Sequence, residues 1–367
     1  MKGFASPRFA HRSATFFVFP SSLPGPFAAL ALARLSPPAP LPTPRSRPFY
    51  DGEIETLCRL RLGPLAWRVV RRTPDAWAHV LSDQQRQKLE LQYRGATMAS
   101  VIAHQTMKIA LRALQARPAV PFVAIKGYAC AATIYPHPAL RPFSDIDLWV
   151  AADRFDDAIE RLRGCGYAGE PKSAAPFVAQ LTCDNLFSLD VHRLIRQTAR
   201  VAFDFEQAFA ARALSQIDDL EVPMLSIEHL FVHQLYSLAA SEFVQSFNTW
   251  IDLRELLIGH PDLLRRPAVI GLIDSCGLRP AVWAVLTLLR ELFPELELDD
   301  AIDAFRPAPA EQLLLGLFLP RPDQLLGWNP RRGRQLAIKA ALIEGVPRRT
   351  KFLASYLGDL GRGFLTA

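Results

Sequence analysis

Two aspartates stand two positions apart in an otherwise apolar segment, Arg141–Val150. If this segment is a strand, Asp145 and Asp147 point to the same face, while the apolar residues beside them pack into the core. Carboxylates that close repel each other unless a cation neutralises them. Mg²⁺ suits the pair, because it usually takes one or two carboxylates and completes its shell with water and substrate phosphates. Taken alone, such a pair is more often the exposed face of an edge strand.

Two further features favour the metal site over the exposed strand. Asp190 is an acid inside a second apolar segment, Leu186–His192, where a strand normally disfavours it. If the two strands are neighbours, three carboxylates converge. Upstream, Lys126 and Gly127 lie where a strand passes into a helix, so free backbone N–H groups and the helix dipole can hold phosphate there. Glycine allows close approach and lysine adds a charge, which together predict a site for a divalent metal and a nucleoside triphosphate.

Apolar spacing indicates the elements that must position these residues. Runs of β-branched and apolar residues predict three strands, with short helices between them. The strands are predicted at Val120–Ile125, Phe143–Val150 and Leu186–His192, and the helices at Tyr128–Ile134 and Arg154–Arg163. This alternation predicts a small α/β unit with a mixed sheet.

Helical spacing dominates on both sides of that unit. From Asp51 to Pro118 apolar residues recur every three or four positions, and after Leu194 the pattern predicts helix almost throughout. We therefore expect an N-terminal helical section at 51–118, the α/β core at 119–200 and a helical domain at 201–367. The predicted fold class is α+β: a small mixed β-sheet core with flanking helices and a mostly helical C-terminal domain.

Residues 1–50 differ from the rest of the chain. They hold ten of the 30 prolines, six basic residues and no acid, which predicts a disordered, extended segment. The remaining residues include 36 basic and 36 acidic side chains, so the net charge of +6 says little about a nucleic-acid partner. The five cysteines form no C-x-x-C pair, and no apolar stretch reaches the ~18 residues of a membrane span. We expect no zinc site, no disulfide framework, no membrane span and a cytoplasmic location.

The motifs resemble those of the nucleotidyltransferase superfamily that includes DNA polymerase beta, and more closely its branch of uncharacterised bacterial nucleotidyltransferase family proteins. The resemblance is carried by Ala124-Ile-Lys-Gly127, Leu140-Arg-Pro-Phe-Ser-Asp-Ile-Asp-Leu148 and Leu189-Asp-Val-His192. It extends with lower specificity over about Asp51 to Ile258. The superfamily's usual glycine–serine pair appears here as Lys126-Gly127.

The resemblance implies a metal-dependent transferase. Mg²⁺, or Mn²⁺, is expected at Asp145 and Asp147, with Asp190 as the third carboxylate and as acceptor of the proton from the attacking hydroxyl. The enzyme would move a nucleoside monophosphate from an NTP to a hydroxyl of an unidentified acceptor, which could be a small molecule, a peptide or RNA, and pyrophosphate would leave. Two alternatives stay open: transfer of the γ-phosphoryl group on the same fold, and a non-catalytic nucleotide-binding or partner-binding protein.

The phosphates of the nucleotide are expected near Lys126 and Gly127. Arg141 can also offset their charge, and Ser144 can bind a phosphate, although a serine entering a strand is more often a turn residue.

Three residues are candidates for supporting roles around the site. His192 follows Asp190 on the same strand face, where it can bond a phosphate or the acceptor or serve as a structural histidine. His233 lies in a predicted helix that can face the site. Asp252 can cap a helix, pair with an arginine or line the cleft.

Overall fold

The computed structural model describes residues 48–354, apart from 73, 173–174, 198–200, 218, 245–246, 322–323, 326–329 and 346. The segment predicted to be disordered, 1–50, lies outside the described residues except for its last three. Four helices precede the first strand: α1 (Asp51–Arg59), α2 (Gly63–Arg72), α3 (Pro74–Trp77) and α4 (Asp83–Gln115). The long helix α4 begins at a reciprocal capping box, in which Ser82 and Gln85 bond each other's backbone N–H groups. It packs against α2 and helps to cover the core.

A mixed seven-stranded sheet forms the centre of the molecule. Its strands are β1 (Phe122–Ile125), β2 (Asp145–Val150), β3 (Pro171–Lys172), β4 (Ala175–Leu181), β5 (Ser188–His192), β8 (Ala213–Ile217) and β9 (Leu220–Met224), in the order β3-β4-β5-β2-β1-β9-β8. β6 (Arg196–Gln197) and β7 (Val201–Ala202) form a separate ribbon. β2 runs parallel to β5 and antiparallel to β1. The sheet and its helices confirm the predicted α+β class.

The three predicted strands exist, but each begins two residues later than predicted, at Phe122, Asp145 and Ser188. Between the strands lie α5 (Lys126–Thr133) and α6 (Phe155–Gly164), followed by α7 (Phe205–Ala210). α5 follows β1 without an intervening loop. This direct junction sets the helix N-terminus at the end of a central strand.

The prediction that the chain after Leu194 is helical almost throughout is wrong for residues 213–224. These residues form the hairpin of β8 and β9, and β9 pairs in parallel with β1 through Ala124 and Met224. Pro223 made this segment a poor strand candidate, because proline cannot donate to a ladder. Pairing with β1 and burial of Val222 and Met224 stabilise the strand nevertheless. The sheet therefore extends past the predicted boundary at residue 200.

Helices make up most of the chain after β9, as predicted. They are α8 (Ile227–Ala240), α9 (Asn248–Gly259), α10 (Pro267–Cys276), α11 (Arg279–Leu292), α12 (Asp299–Ala304), α13 (Pro309–Phe318) and α14 (Arg332–Ala341). α8 is buried along nearly its whole length, since it packs against α5 on one side and against α9, α10 and α11 on others. It therefore carries side chains from the helical part of the chain to the sheet.

No single helix of the described chain is long and apolar enough to cross a membrane. α10 and α11 pass the length and composition test only as a pair, and they are bent by 120° relative to each other.

Candidate active site

The register of β2 and β5 brings the candidate carboxylates together. Asp147 lies opposite Asp190 and Trp149 lies opposite His192 in this parallel pair, so Asp147, Asp190 and His192 share a face of the sheet. Asp145 is two residues before Asp147 on the same face. The sequence predicted that three carboxylates converge if the two strands are neighbours. β2 and β5 are neighbours, so the three carboxylates lie on one face of adjacent strands.

Asp147 is the centre of this group. It is 3% exposed, and its Oδ1 atom accepts a hydrogen bond from Lys126 Nζ at 2.6 Å. The same oxygen lies 2.8 Å from His192 Nε2. Burial by itself raises the pKa of Asp147, but Lys126 and His192 outweigh burial and hold that pKa at about 2. Asp147 therefore stays ionised and attracts cations.

Lys126 occupies a strained position at the first residue of α5. Its φ of 53° lies in the left-handed region, which non-glycine residues rarely adopt. Strain of this kind persists where the surrounding structure requires it, and often at functional sites. Its side chain is 39% exposed, so the ammonium group contacts Asp147 from the solvent side of the cluster.

Gly127 allows α5 to approach the segment that leads into β2. A Cβ atom at this position would lie 2.9 Å from Arg141 Nη1 and 2.9 Å from Phe143 Cβ. Neither distance is compatible with a real side chain unless its neighbours shift. The glycine therefore keeps the N-terminus of α5 close to the β2 carboxylates.

The donor set fits a divalent cation. One ligand atom from each of Asp147, Asp190 and His192 lies within 4.8 Å of the others, a spacing that one ion can bridge. Carboxylate oxygens suit Mg²⁺ and Mn²⁺, and Asp147 and Asp190 supply them. Burial raises the pKa of Asp145, and the negative charges of Asp147 and Asp190 raise it further. A cation would relieve this repulsion.

Two cavities border the carboxylate cluster. The first, of about 310 Å³, is polar and is lined by Lys126, Gly127, Ser144, Asp145 and Asp147, among others; we call it the polar cavity. The second, of about 200 Å³, is lined mainly by apolar side chains; we call it the apolar cavity. Lys126 lines both, so the cluster lies between the two spaces.

Arg141 forms a buried ion pair with Asp252. Its Nη2 atom donates to Asp252 Oδ2 at 2.7 Å, and its Nε atom also donates to this carboxylate. Tyr135 and Gln234 add hydrogen bonds of 2.8 and 3.0 Å to Asp252, which is 0% exposed. Burial acts to lower the pKa of Arg141, but Asp252 overcomes it and raises that pKa. Of the three roles considered for Asp252, the structure therefore shows the pairing with an arginine. The guanidinium group of Arg141, which the sequence predicted to meet phosphates, is held by Asp252.

The remaining candidates occupy different surroundings. Ser144 is exposed at the polar cavity, with its Oγ atom 3.3 Å from Asp145 Oδ1. His233 is 1% exposed and lines the apolar cavity. Burial, with a contribution from Lys126, lowers the pKa of His233 to about 3, so this ring is neutral. Its helical neighbour His229 instead bonds Ser226 at the start of α8.

Four cavity-lining residues carried no signal in the sequence. Arg61, Gln234, Ser237 and Thr249 also line the polar cavity. They come from α8, α9 and the turn after α1, so only the tertiary packing brings them to the sheet. Their local sequences form no motif by which they could have been found.

Comparison with known proteins gives one family and several distant structural neighbours. A family model described as an uncharacterised nucleotidyltransferase matches residues 54–294, more than half of the chain. The lincosamide antibiotic adenylyltransferase LnuA, bound to lincomycin, is 16% identical with a TM-score of 0.32, over 41% of this chain and 94% of that chain. The antibiotic-resistance factor ANT(2'')-Ia is 13% identical with a TM-score of 0.34, over 46% and 90%. An antigenic nucleotidyltransferase-like protein from Paracoccidioides brasiliensis is 14% identical with a TM-score of 0.34, over 57% and 93%. No curated protein sequence matches the chain.

Proposed function

This chain belongs to the family of uncharacterised nucleotidyltransferases, and we propose that it transfers a nucleoside monophosphate from an NTP to a hydroxyl group of an acceptor. The family makes it a transferase. The observation that carries the specific proposal is the convergence of Asp145, Asp147 and Asp190 on adjacent strands, beside Lys126 at the N-terminus of α5. Such a group combines ligands for a divalent cation with groups that bind phosphate.

Asp147 and Asp190 are the residues that would hold Mg²⁺ or Mn²⁺, with Asp145 and His192 beside them. When bound, the metal supplies the positive charge that neutralises the triphosphate and aligns it with the acceptor. Asp147 is already ionised, so it binds a cation without first losing a proton. Lys126 neutralises Asp147 in the structure. A bound divalent cation would neutralise Asp147 instead, and the ammonium group of Lys126 would then contact the phosphates.

The polar cavity is the proposed site of the triphosphate. Lys126 supplies a charge, and the backbone at Gly127 brings the N-terminus of α5 to its wall. Ser144 adds a hydroxyl group that can bond a phosphate oxygen. Arg141 lines the same cavity, but its pairing with Asp252 makes positioning of the segment before β2 its main proposed role.

Asp190 is the proposed base. The acceptor hydroxyl loses its proton to the Asp190 carboxylate, and its oxygen forms a bond to the α-phosphorus. The bond from the α-phosphorus to the oxygen bridging it to the β-phosphate breaks, and pyrophosphate leaves with that electron pair. Lys126 stabilises the charge that develops on the phosphate oxygens.

Label transfer tests this proposal. The full chain is incubated with Mg²⁺ or Mn²⁺, a cell extract as the source of acceptor, and each NTP labelled separately at the α- or the γ-phosphate. We expect transfer of the α label by the wild type and by Asp184→Asn, a control on the exposed turn before β5, and loss of transfer in Asp147→Asn. Transfer of the γ label would identify a kinase instead. Metal-dependent NTP binding without transfer of either label would identify a binding protein.

A further inference from the structure

The apolar cavity differs from the polar one in what lines it. Phe177 and Val178 provide apolar walls from β4, and Leu194 and Ile195 provide them from the residues that follow β5. Its polar groups include Lys126, His192, His233 and two serines, and none of the described residues that line it is an acid. Lys126 itself is paired with Asp147, which does not line this cavity, so the described wall offers no carboxylate of its own to a positively charged ligand.

His233 gives this cavity a ring nitrogen, Nδ1, without a hydrogen-bond partner among the described residues. The ring is 1% exposed. Phe203 and Tyr236 pack around the ring, with centroid distances of 6.0 and 6.4 Å. A buried polar atom without a partner costs free energy, and a ligand hydroxyl can satisfy it. Because the imidazole is neutral, it suits an uncharged partner better than an anion.

The position of the apolar cavity relative to the cluster indicates which reactant it takes. The polar cavity lies at the N-terminus of α5 and at the β2 carboxylates, where phosphates bind best. The apolar cavity lies on the other side of Lys126, against β5, the strand that carries Asp190 and His192. Asp190, the proposed base, is not part of the cavity wall, but His192, two residues further along the same face of β5, is. A hydroxyl that reaches past His192 therefore approaches Asp190 from the β5 side.

We propose that the apolar cavity binds the acceptor, and that the acceptor is a compact, mostly apolar molecule with a hydroxyl group and no positive charge. This proposal rests on the proposed nucleotidyl transfer. The cavity volume of about 200 Å³ is below the roughly 300–1,000 Å³ of sites that enclose drug-sized ligands, so it takes a small acceptor or the reactive end of a larger one. The walls select against polyamines and amino sugars, whose charges they cannot neutralise.

Binding of two matched probes tests the cavity without any transfer reaction. 2-Phenylethanol is a neutral aromatic alcohol, and 2-(4-aminomethylphenyl)ethanol carries an ammonium group on the same skeleton. Saturation-transfer NMR on the full chain measures both affinities, and calorimetry measures the affinity for each of the four NTPs with Mg²⁺. We expect the neutral alcohol to bind the wild type about tenfold more tightly than the amine.

Two variants place the probe in the apolar cavity. Val178→Phe fills part of the space next to His192, which Val178 pairs with across β4 and β5. Leu194→Glu adds a carboxylate at a position that is 38% exposed, so the fold tolerates it. We expect both to weaken binding of the neutral alcohol by about fivefold or more, and Leu194→Glu to improve binding of the amine. Leu214→Glu, at an exposed position on β8, is the matched control and should change neither affinity.

Several outcomes would overturn the proposal. They are absence of probe binding, tighter binding of the amine by the wild type, or unchanged probe binding in both variants. Loss of NTP affinity in Val178→Phe would also overturn it, because the cavity would then hold the base of the nucleotide. Failure of the wild type to bind any of the four NTPs with Mg²⁺ would count against nucleotidyl transfer itself. Probe binding without label transfer would support the cavity assignment and contradict the proposed reaction.

Discussion

Two buried charge clusters are anchored at the two ends of residues 141–147, one by Asp147 and the other by Arg141, and they differ in how completely their charges are satisfied. In the first, Asp147 contacts Lys126 and His192 at the border of two cavities. In the second, Asp252 is 0% exposed and accepts hydrogen bonds on both oxygens from Arg141 and its neighbours. Each cluster pairs a buried aspartate with a basic side chain.

The difference lies in the basic partner and in the space around it. Lys126 is 39% exposed and flexible, so it can leave Asp147 when another cation arrives. Arg141 is buried and holds Asp252 through two of its nitrogens, an arrangement that fixes geometry rather than permitting exchange. Burial and charge pairing therefore do not by themselves mark a catalytic group. Access to a cavity and an exchangeable partner separate the proposed chemical cluster from the structural one.

Substitution of Asp147 should have the largest effect on activity. Asp147→Asn keeps the side-chain volume but removes the charge that holds a divalent cation, so we expect nucleotidyl transfer to fall by on the order of 10³-fold. The free energy of unfolding should fall by about 1–2 kcal/mol, less than for a fully buried pair, because Lys126 is 39% exposed and because the substitution removes one of three mutually repelling carboxylates. Label transfer and urea unfolding measure the two quantities, and Asp184→Asn on the exposed turn should alter neither.

Substitution of Asp252 should lower the stability of the protein more than substitution of Asp147 does. Asp252→Ala leaves the buried Arg141 without its counter-charge and should lower the free energy of unfolding by about 3–5 kcal/mol, measured by urea unfolding. The exposed pair of Asp219 with Lys108 provides the control, and Asp219→Asn should leave the urea midpoint unchanged. A stable Asp252→Ala protein that had lost activity would show that both clusters serve the reaction.

Patterns within short segments were sufficient to predict the first cluster in outline. Alternation in Asp145–Val150 and the acid within β5 predicted strands that carry carboxylates on one face, and Lys126 with Gly127 predicted the junction of a strand with a helix. All of these signals depend on neighbours in the sequence. The mixed sheet and the helices after α8 follow from the same local rules.

Contacts between distant residues set the limit of that prediction. Arg141 and Asp252 are 111 positions apart, and no local pattern links them. The bond between His192 and Asp147 depends on the parallel register of β2 and β5, which the sequence of either strand does not specify. β9 becomes a strand because β1 offers it an edge to pair with.

His233, which lines the apolar cavity together with Lys126 and His192 of the first cluster, should make the stability of the protein depend on pH. Burial, together with Lys126, lowers the pKa of His233 in the folded protein to about 3, whereas the unfolded histidine titrates near 6.5. Below about pH 6.5 the unfolded chain therefore binds a proton that the folded chain does not, and stability falls as the pH decreases towards 3. From pH 7 to pH 5 this histidine should cost about 2 kcal/mol of unfolding free energy.

Comparison of urea unfolding at the two pH values isolates this contribution. His233→Phe keeps a ring in the aromatic contacts with Phe203 and Tyr236 and should be less sensitive to acid than the wild type by that amount. His79→Phe changes an exposed histidine and should leave the acid sensitivity as it is. An equal loss of stability in wild type and His233→Phe would mean that His233 takes up a proton in the folded state.

The smallest effect should come from Arg61, which lines the polar cavity but belongs to neither cluster. Its side chain is exposed, so Arg61→Gln should raise the KM for the NTP by about three- to tenfold through loss of a screened attraction, with kcat unchanged. The increase in KM should shrink as salt is added, and Arg59→Gln, at the end of α1, is the matched control.

Because Asp252 already neutralises Arg141, we expect Arg61 to contribute more to triphosphate affinity than the buried Arg141 does. If Arg141→Lys raised KM at unchanged stability while Arg61→Gln did not, the arginine of the structural cluster would be the phosphate ligand, and the division between the two clusters would be wrong.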